Sequence, residues 1–188
     1  MSHITVFTPK KFKDNRGWFS EIYNSLRETD NGIVDIFVQD NYSYSAKKGT
    51  IRGIHFQNPP NAQAKLVRCA RGSIIDYAVD LRAKSPTYGQ YVSAEISARL
   101  GNQIYIPVGF GHAFITLEPE TEILYKVSDF YSPECDCGVR WDCPDIGIAW
   151  PLPLESVSLS DKDKSLPILK NFESQFCYNG EPMRLIQH

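Results

Sequence analysis

The fold is decided by the stretch from Arg52 to Leu81, which reads Arg-Gly-Ile-His-Phe-Gln, a loop containing Pro-Pro-Asn, and then Ala-Gln-Ala-Lys-Leu-Val-Arg-Cys-Ala-Arg-Gly-Ser-Ile-Ile-Asp-Tyr-Ala-Val-Asp-Leu. After the loop, two runs rich in β-forming residues, 65–70 and 73–81, flank Arg71-Gly72. Two such runs on either side of a short glycine-containing turn predict a β-hairpin.

Polar side chains interrupt these otherwise apolar strands. They are Arg52, His55, Gln57, Lys65, Asp76 and Asp80. A polar group on the inward face of a strand is costly unless it is paired or used. Several of them in one short stretch predict a cavity lined by polar side chains.

The same kind of short strand recurs along the chain. Further runs rich in Val, Ile, Tyr and Phe occupy residues 4–7, 17–23, 34–39, 50–56, 91–96, 103–106, 112–117 and 122–130. No long 3.6-residue periodicity lies between them, so crossover helices are not expected. The pattern predicts an all-β antiparallel barrel, here a jelly roll. Helical turns are expected at residues 25–29 and after Ser160, which is a typical N-cap residue.

Length and composition narrow the class of protein. The 188 residues fit one domain, with a core over about residues 4–169 and a polar tail after it. A net charge of −2 offers no broad basic surface for nucleic acid. No signal peptide or membrane-spanning run is present, so no membrane partner is expected. Five cysteines without framework spacing suit the reducing cytoplasm.

Two histidines, His55 and His112, lie in strand-like surroundings and raise the question of a metal. Pro107-Val-Gly109-Phe-Gly-His112 is half of a metal-binding cupin pattern, but the other half, H-x-H followed by Glu, is replaced by Ile54-His55-Phe56-Gln57. Two histidines without a carboxylate at the right spacing are too few for an iron or manganese cage. The cysteines at 135, 137 and 143 lack the second pair of a zinc site. A metal-free barrel is therefore expected.

A series of motifs in fixed order extends over residues 12–163. They are Phe12-x-Asp14-x-Arg16-Gly17-x-Phe19-x-Glu21, Val38-Gln39-Asp40-Asn41-x-Ser43, Arg52-Gly53-Ile54-His55-Phe56-Gln57, Ala62-Gln63-x-Lys65-Leu66-Val67, Asp80-Leu81-Arg82, Ser85-Pro86-Thr87-Tyr88-Gly89, Ile106-Pro107-x-Gly109-Phe110-x-His112, Tyr125-Lys126, Tyr131-Ser132-Pro133, Trp150-Pro151 and Leu159-Ser160-x-Lys162-Asp163. In these blocks the chain resembles the dTDP-4-dehydrorhamnose 3,5-epimerase family. The resemblance implies a cupin-type jelly-roll β-barrel with short C-terminal helical segments.

The resemblance also implies a reaction that needs no cofactor: inversion of C3 and C5 of dTDP-4-dehydro-6-deoxy-D-glucose in dTDP-L-rhamnose synthesis. In a 4-keto sugar, loss of either proton leaves an enolate at the C4 oxygen. His55 is similar to the family's base, paired with Asp163, and such a base contributes about 10²–10⁴ in rate. Tyr125 corresponds to the opposing acid, and Lys65 to the cation beside the enolate. Taken singly, each of these residues would be unremarkable.

Further positions match ligand contacts of the family. They are Arg16, Glu21, Gln39, Asp40, Asn41, Arg52, Lys65, His112, Tyr131, Asp136 and Lys162. Arginines suit a diphosphate, and Tyr131 resembles the aromatic side chain that stacks on thymine. In the family, the strand at residues 16–21 crosses to a partner subunit, so a homodimer with an exchanged N-terminal strand is implied.

Two departures from the family pattern bear on substrate identity. The family usually has Phe-Ala-His-Gly-Phe where this chain has Phe110-Gly111-His112-Ala113-Phe114, and it often has Glu where this chain has Asp136. Three other functions remain open from the sequence: a 3-only or 5-only epimerase of another nucleotide sugar, a metal-dependent cupin enzyme, and a noncatalytic nucleotide-sugar binding module.

Overall fold

The computed structural model describes residues 3–188, and most of its regular structure is strand. The strands are β1 (His3–Phe7), β2 (Phe12–Asp14), β3 (Gly17–Phe19), β4 (Gln39–Ser45), β5 (Ile51–Gln57), β6 (Lys65–Arg71), β7 (Ser73–Asp80), β8 (Tyr91–Ser97), β9 (Gln103–Ile106), β10 (Phe110–Thr116), β11 (Thr121–Val127), β12 (Asp136–Gly138) and β13 (Arg184–Gln187). The helices are α1 (Ser25–Glu28) and α2 (Asp161–Ser165), with 3₁₀ turns at Thr29–Asn31, Leu154–Ser156 and Leu169–Asn171. No helix within residues 3–188 is long and apolar enough to cross a membrane.

The strands form two main sheets and a separate hairpin. The six-stranded sheet has the order β13-β1-β9-β6-β11-β4, and the five-stranded sheet has the order β12-β5-β10-β7-β8. All pairings are antiparallel except that of β1 with β13. The predicted all-β, cupin-type jelly roll with short C-terminal helical segments is confirmed. So is the N-cap at Ser160, whose Oγ accepts a hydrogen bond from the Asp163 backbone N–H at 3.1 Å.

The hairpin predicted around Arg71-Gly72 is wrong. β6 pairs with β9 and β11 in one sheet, whereas β7 pairs with β8 and β10 in the other. The chain therefore turns a corner of the barrel at Gly72, which has φ +76° and lies so close to Thr121 that a Cβ would meet its Oγ1 at 2.5 Å. A glycine turn between two β-rich runs is compatible with both arrangements, and only the pairing partners distinguish them.

Two predicted strands also differ from the structure. Residues 34–38 form no strand, and β4 begins at Gln39. Among residues 3–188, the backbone of this run bonds to a strand only at Val38, whose N–H donates to the Val127 carbonyl at 3.0 Å. Val34 and Ile36 are exposed, and Phe37 packs edge-on against Tyr23. The run predicted at 17–23 is reduced to β3, which pairs only with β2 in an exposed hairpin.

Apolar side chains fill the space between the sheets and also cover one outer face. Between the sheets, Val67, Ile104 and Ile123 of the six-stranded sheet pack against Ile74 and Phe114 of the five-stranded sheet. Each fully buried aliphatic or aromatic side chain contributes roughly 1.5–3 kcal/mol. The outer face of the five-stranded sheet carries a second cluster formed with residues 139–176, which lie over it as a layer.

The C-terminal tail, for which the sequence predicts no element, is anchored to the barrel. Phe176 is buried against the outer face of the five-stranded sheet, and β13 extends the six-stranded sheet beside β1. Arg82 donates to the backbone carbonyl of Glu181 at 3.0 Å and to both carboxylate oxygens of Asp80, at 2.9 and 2.8 Å. Asp80, expected to line a cavity, is therefore part of this anchor instead.

Two glycines allow β5 and β10 to pack closely. Gly53 has φ +126°, and a Cβ there would meet the Cα of Ala113 at 2.6 Å. Gly111 has ordinary φ, but a Cβ would lie 2.4 Å from Cγ2 of Ile54 and 3.0 Å from Cδ1 of Leu81. The exchange of Ala and Gly around His112 therefore affects packing on the outer side of the sheet.

We expect Gly111→Ala to destabilise the fold by about 1–3 kcal/mol, because the added methyl group overpacks the contact with Ile54. Ile54→Leu removes the β-branched methyl group and should restore part of the stability lost in Gly111→Ala. By itself, Ile54→Leu should lower the free energy of unfolding by less than about 1.5 kcal/mol. Urea unfolding of the two single variants and the double variant measures the coupling. Additive effects would contradict the predicted contact.

Candidate active site

A polar cavity of about 210 Å³ opens between the two sheets. It is lined by Gln39, Asn41, His55, Phe56, Gln57, Gln63, Lys65, Tyr125, Tyr131, Asp136 and Lys162. A second cavity of about 130 Å³ shares three of these residues, His55, Lys65 and Tyr125, and is also lined by Ser43, Arg52, His112 and Phe114. Most of the residues predicted from the sequence therefore line one or both of these cavities. The second is the inner cavity, since its His112 and Phe114 are buried.

His55 projects from β5 and contacts a carboxylate far away in the sequence. Its Nε2 lies 2.5 Å from Oδ1 of Asp163 in α2. Asp163 is 2% exposed. Burial raises its pKa, but hydrogen bonds from His55 and Ser160 outweigh burial, so the pKa is lowered and the carboxylate stays ionised at neutral pH. With Nε2–H donated to this anion, the imidazole keeps a lone pair on Nδ1.

Lys65 reaches the cavity from β6 in the opposite sheet. Its Nζ donates to the backbone carbonyl of His55 at 3.3 Å, and the residue is 8% exposed. Burial lowers the pKa of Lys65 to about 8, while the carboxylates of Asp76 and Asp136 act in the opposite direction. The ammonium form therefore predominates at neutral pH and is lost as pH rises through that value.

Tyr125 lies on β11, in the same sheet as Lys65 and opposite the sheet that carries His55. Burial raises the pKa of its phenol, although the charge of Arg52 opposes this change. The hydroxyl is therefore protonated at neutral pH and able to donate a proton. A ring bound in the cavity has an imidazole on one sheet and a phenol on the other.

His112 forms a second imidazole–carboxylate pair at the inner cavity. It lies directly across from His55 in the β5–β10 register, and its Nε2 is 2.8 Å from Oδ2 of Asp76. His112 and Asp76 are both buried. Burial lowers the pKa of His112, and the Asp76 carboxylate only partly offsets this effect. The sequence singled out Asp76 as an inward polar residue but did not include it among the site residues.

Three glutamine side chains hold the loop that carries Tyr131. Gln57 donates to the carbonyls of Asn61 and Phe130 and accepts from the Ser132 N–H, at 2.6, 3.1 and 2.8 Å. Gln63 donates to the carbonyl of Asp129 at 2.8 Å, and Gln39 accepts from the Tyr131 N–H at 3.1 Å. Gln57 and Gln63 were not predicted as site residues, although their inward amides on or beside apolar strands were a usable signal.

Ionic contacts connect the elements at the edge of the cavity. Asp136 Oδ2 accepts from Lys162 Nζ at 2.5 Å and from the Tyr131 hydroxyl at 3.1 Å. Since Asp163 follows Lys162, α2 is joined to the five-stranded sheet by two adjacent side chains, one to β12 and one to β5. Asp136 is therefore long enough to make both contacts without the extra methylene of Glu.

Three residues predicted to bind ligand lie outside this cavity within one chain. Arg16 is in the exposed β2–β3 turn and pairs with Asp14 at 2.6 Å. Glu21 pairs with Arg27 and lines a separate cavity. Asp40 alternates with Gln39 and Asn41, so its side chain points to the outer face of β4 and pairs with Lys126 at 2.8 Å.

Across residues 3–188, no set of three or more His, Cys, Asp or Glu side chains is placed to hold a metal ion. Both strand histidines are instead paired with carboxylates, as described above.

Comparison with known proteins identifies the family. The sequence profile of dTDP-4-dehydrorhamnose 3,5-epimerase matches residues 1–171. A dTDP-4-dehydrorhamnose 3,5-epimerase from Sinorhizobium fredii is 48% identical over 179 residues, which is 95% of this chain and 91% of that protein. The crystal structure of a dTDP-4-dehydrorhamnose 3,5-epimerase from Bacillus anthracis with TDP and PPi bound has 46% identity and a TM-score of 0.82, covering 86% of this chain and 91% of that one. A dTDP-6-deoxy-D-glucose-3,5-epimerase from Legionella pneumophila in complex with dTDP-4-keto-L-rhamnose has 37% identity and a TM-score of 0.83, covering 91% of this chain and 95% of that one. This chain belongs to the dTDP-4-dehydrorhamnose 3,5-epimerase family.

Proposed function

We propose that this protein is a cofactor-independent isomerase that inverts C3 and C5 of dTDP-4-dehydro-6-deoxy-D-glucose to give dTDP-4-dehydro-L-rhamnose, in dTDP-L-rhamnose synthesis. One observation carries the proposal: His55, Lys65 and Tyr125 share a single cavity, with the imidazole and the phenol on opposing sheets. The complexes of the Bacillus anthracis and Legionella pneumophila proteins with TDP and dTDP-4-keto-L-rhamnose support the substrate class.

The proton transfers follow from the arrangement of these groups. Nδ1 of His55 removes the proton from C3 or C5, and the electron pair moves into the C4 carbonyl to give an enolate. The Lys65 ammonium stabilises the enolate oxygen. Loss of one preorganised donor of this kind costs on the order of 3–4 kcal/mol in other enzymes. Tyr125 then protonates the carbon from the other face, which inverts it. The Asp163 carboxylate stabilises the imidazolium formed in between.

The remaining predicted residues suit the nucleotide diphosphate. Arg52 and Lys162 bring positive charge to the inner cavity and to its outer edge, respectively. The phenol ring of Tyr131 is 57% exposed beside that edge and suits stacking on a base. Gln39, Asn41, His112 and Asp136 supply further polar contacts for the ligand. We place the protein in the cytoplasm, since its five cysteines are free thiols.

We further propose a homodimer in which the N-terminal strand at residues 16–21 is exchanged, so that Arg16 and Glu21 complete the site of the partner subunit. Three features support it. Arg16 and Glu21 lie away from the cavity of their own chain. Phe12, Trp18 and Phe19 of the hairpin are 48, 56 and 69% exposed. An apolar groove on the outer face of the six-stranded sheet, lined in part by Leu66 and Leu124, is suited to receive them.

Solvent exchange tests the function and separates it from its nearest rival. Incubation of the wild-type protein with dTDP-4-dehydro-6-deoxy-D-glucose in D₂O should give deuterium at both C3 and C5, read by proton NMR, because each carbon is reprotonated by groups that exchange with solvent. Exchange at one carbon only would identify a 3-only or 5-only epimerase. No exchange at either carbon would refute the activity and favour the binding module.

Two substitutions separate the base from the acid. His55→Asn should reduce exchange and inversion together by about 10²–10⁴-fold, because no group removes the proton. Tyr125→Phe should reduce inversion by a similar factor yet retain exchange, because His55 still removes and returns the proton on its own face. Circular dichroism controls for folding. If Tyr125→Phe abolished exchange while His55→Asn retained it, the two roles would be reversed.

Complementation tests the exchanged dimer. Neither His55→Asn nor Arg16→Ala homodimers should be active, but a mixed dimer contains one site with both wild-type residues if Arg16 comes from the partner subunit. A randomly mixed preparation should therefore recover roughly a quarter of wild-type activity per subunit. The double variant His55→Asn/Arg16→Ala mixed with Arg16→Ala is the control, since it produces no complete site. Sites built within one chain would give no recovery.

A further inference from the structure

We propose that Asp76 is a positioning residue of the inner cavity: its buried carboxylate is the counter-anion that keeps Lys65 in the ammonium form, and it fixes the ring of the neighbouring His112. This inference rests on the proposed function for the role of Lys65 in the reaction. The electrostatic influence of Asp76 on Lys65 is a separate physical statement about the folded protein.

Asp76 faces the interior of the barrel. It alternates on β7 with Ile74 and Ala78, which pack between the sheets, and it is fully buried. Its Oδ2 lies 2.8 Å from His112 Nε2, whereas Oδ1 is buried without a hydrogen-bond partner among residues 3–188. Lys65 alternates on β6 with Val67, another residue of the same interior cluster, so the two charged groups enter one apolar interior from opposite sheets.

A comparison along β7 shows what is unusual about this carboxylate. Asp80 lies four residues further along β7, on the same face, and is also fully buried. It accepts hydrogen bonds from Arg82, Ser85 and Thr87. Its charge is therefore balanced in place by a guanidinium group. Asp76 has a single hydrogen bond, to an imidazole, and an asparagine would hold that imidazole equally well. Holding His112 alone does not account for a carboxylate at this position.

Charge balance supplies the reason for the carboxylate. Titratable or charged groups enter this region from every surrounding element: Arg52 and His55 from β5, Lys65 and Cys69 from β6, Asp76 from β7, His112 from β10, Tyr125 from β11, Asp136 from β12, and Lys162 and Asp163 from α2. Burial lowers the pKa of His112, so its imidazole is neutral at neutral pH and cannot balance Asp76. Asp136 is already paired with Lys162 at 2.5 Å. Arg52 is exposed and donates to the Tyr44 carbonyl at 3.0 Å, so solvent balances its charge. An isolated buried charge is very costly, and the Lys65 ammonium and the Asp76 carboxylate together leave no net charge in the buried part of the site.

The charge of Asp76 matters because the pKa of Lys65 lies close to neutral pH. Burial lowers its pKa to about 8, and Asp76 is the largest opposing influence. Burial raises the pKa of Asp76 itself, while His112 and the Lys65 ammonium act in the opposite direction, so each buried charge favours the ionised form of the other. Without the carboxylate, more of the lysine would be neutral at the pH of the cell. A neutral amine stabilises an enolate oxygen poorly, so the reaction would lose its cation while all groups that contact the sugar remained in place.

Asp76→Asn tests the inference, because it keeps the shape and the hydrogen bond to His112 but removes the charge. In the wild-type protein, kcat should fall as pH rises through about 8. In the variant, this alkaline limb should move to lower pH by about one unit or more, giving roughly fivefold or more lower kcat at pH 8 and a much smaller loss at the acid end of the profile. Glu95→Gln, an exposed carboxylate on the adjacent β8, controls for net charge and should leave the limb unmoved.

A titration without substrate separates this inference from the proposed function. The ¹⁵N resonance of Lys65 Nζ should titrate at lower pH in Asp76→Asn than in wild type, and the ¹³C carboxyl resonance of wild-type Asp76 should show it ionised at pH 7. An unmoved Lys65 titration, or an Asp76 protonated at pH 7, would overturn the inference; the second measurement needs no variant. Failure of the wild-type protein to exchange deuterium would instead remove the proposed function.

Discussion

The contact between His55 and Asp163 joins two parts of the chain that are 108 residues apart, at 2.5 Å. Asp163 reaches the imidazole because residues 139–176 cover the outer face of the five-stranded sheet and return the chain to β5. α2 has only five residues, so its position depends on its contacts rather than on its own stability. The layer that completes the hydrophobic packing of the sheet is thus also the layer that supplies the carboxylate of the proposed base.

Much of this arrangement was predictable from the sequence because its signals are local. Short apolar runs broken by turn residues specified a strand-rich barrel, and polar residues inside those runs, such as His55 and Lys65, indicated a lined cavity. The family resemblance added Tyr125 and Asp163, which no local pattern would have linked to His55. In the structure His55, Lys65 and Tyr125 line one cavity, and Asp163 is bonded to His55.

The predictions that differ from the structure have equally specific causes. The corner at Gly72 was interpreted as a hairpin because a turn within a sheet and a turn between sheets use the same residues. Residues 34–38 alternate like a strand, but a strand needs a neighbour, and within the described part of the chain only Val38 of this run bonds to one. Asp76 and Asp80 look equivalent on β7, yet Arg82 neutralises only the second of them. Each of these distinctions depends on partners that are distant in sequence or that follow a turn.

Placing the proton acceptor and the proton donor on different sheets has a mechanical consequence. Facing sheets pack about 10 Å apart, a spacing set by the side chains between them. Here those side chains include Ile74, Ile104 and Ile123, which lie outside both cavities. The distance between the proton acceptor and the proton donor is therefore set by the thickness of the hydrophobic interior. A bulkier or smaller residue there would change this distance without contacting any reacting group.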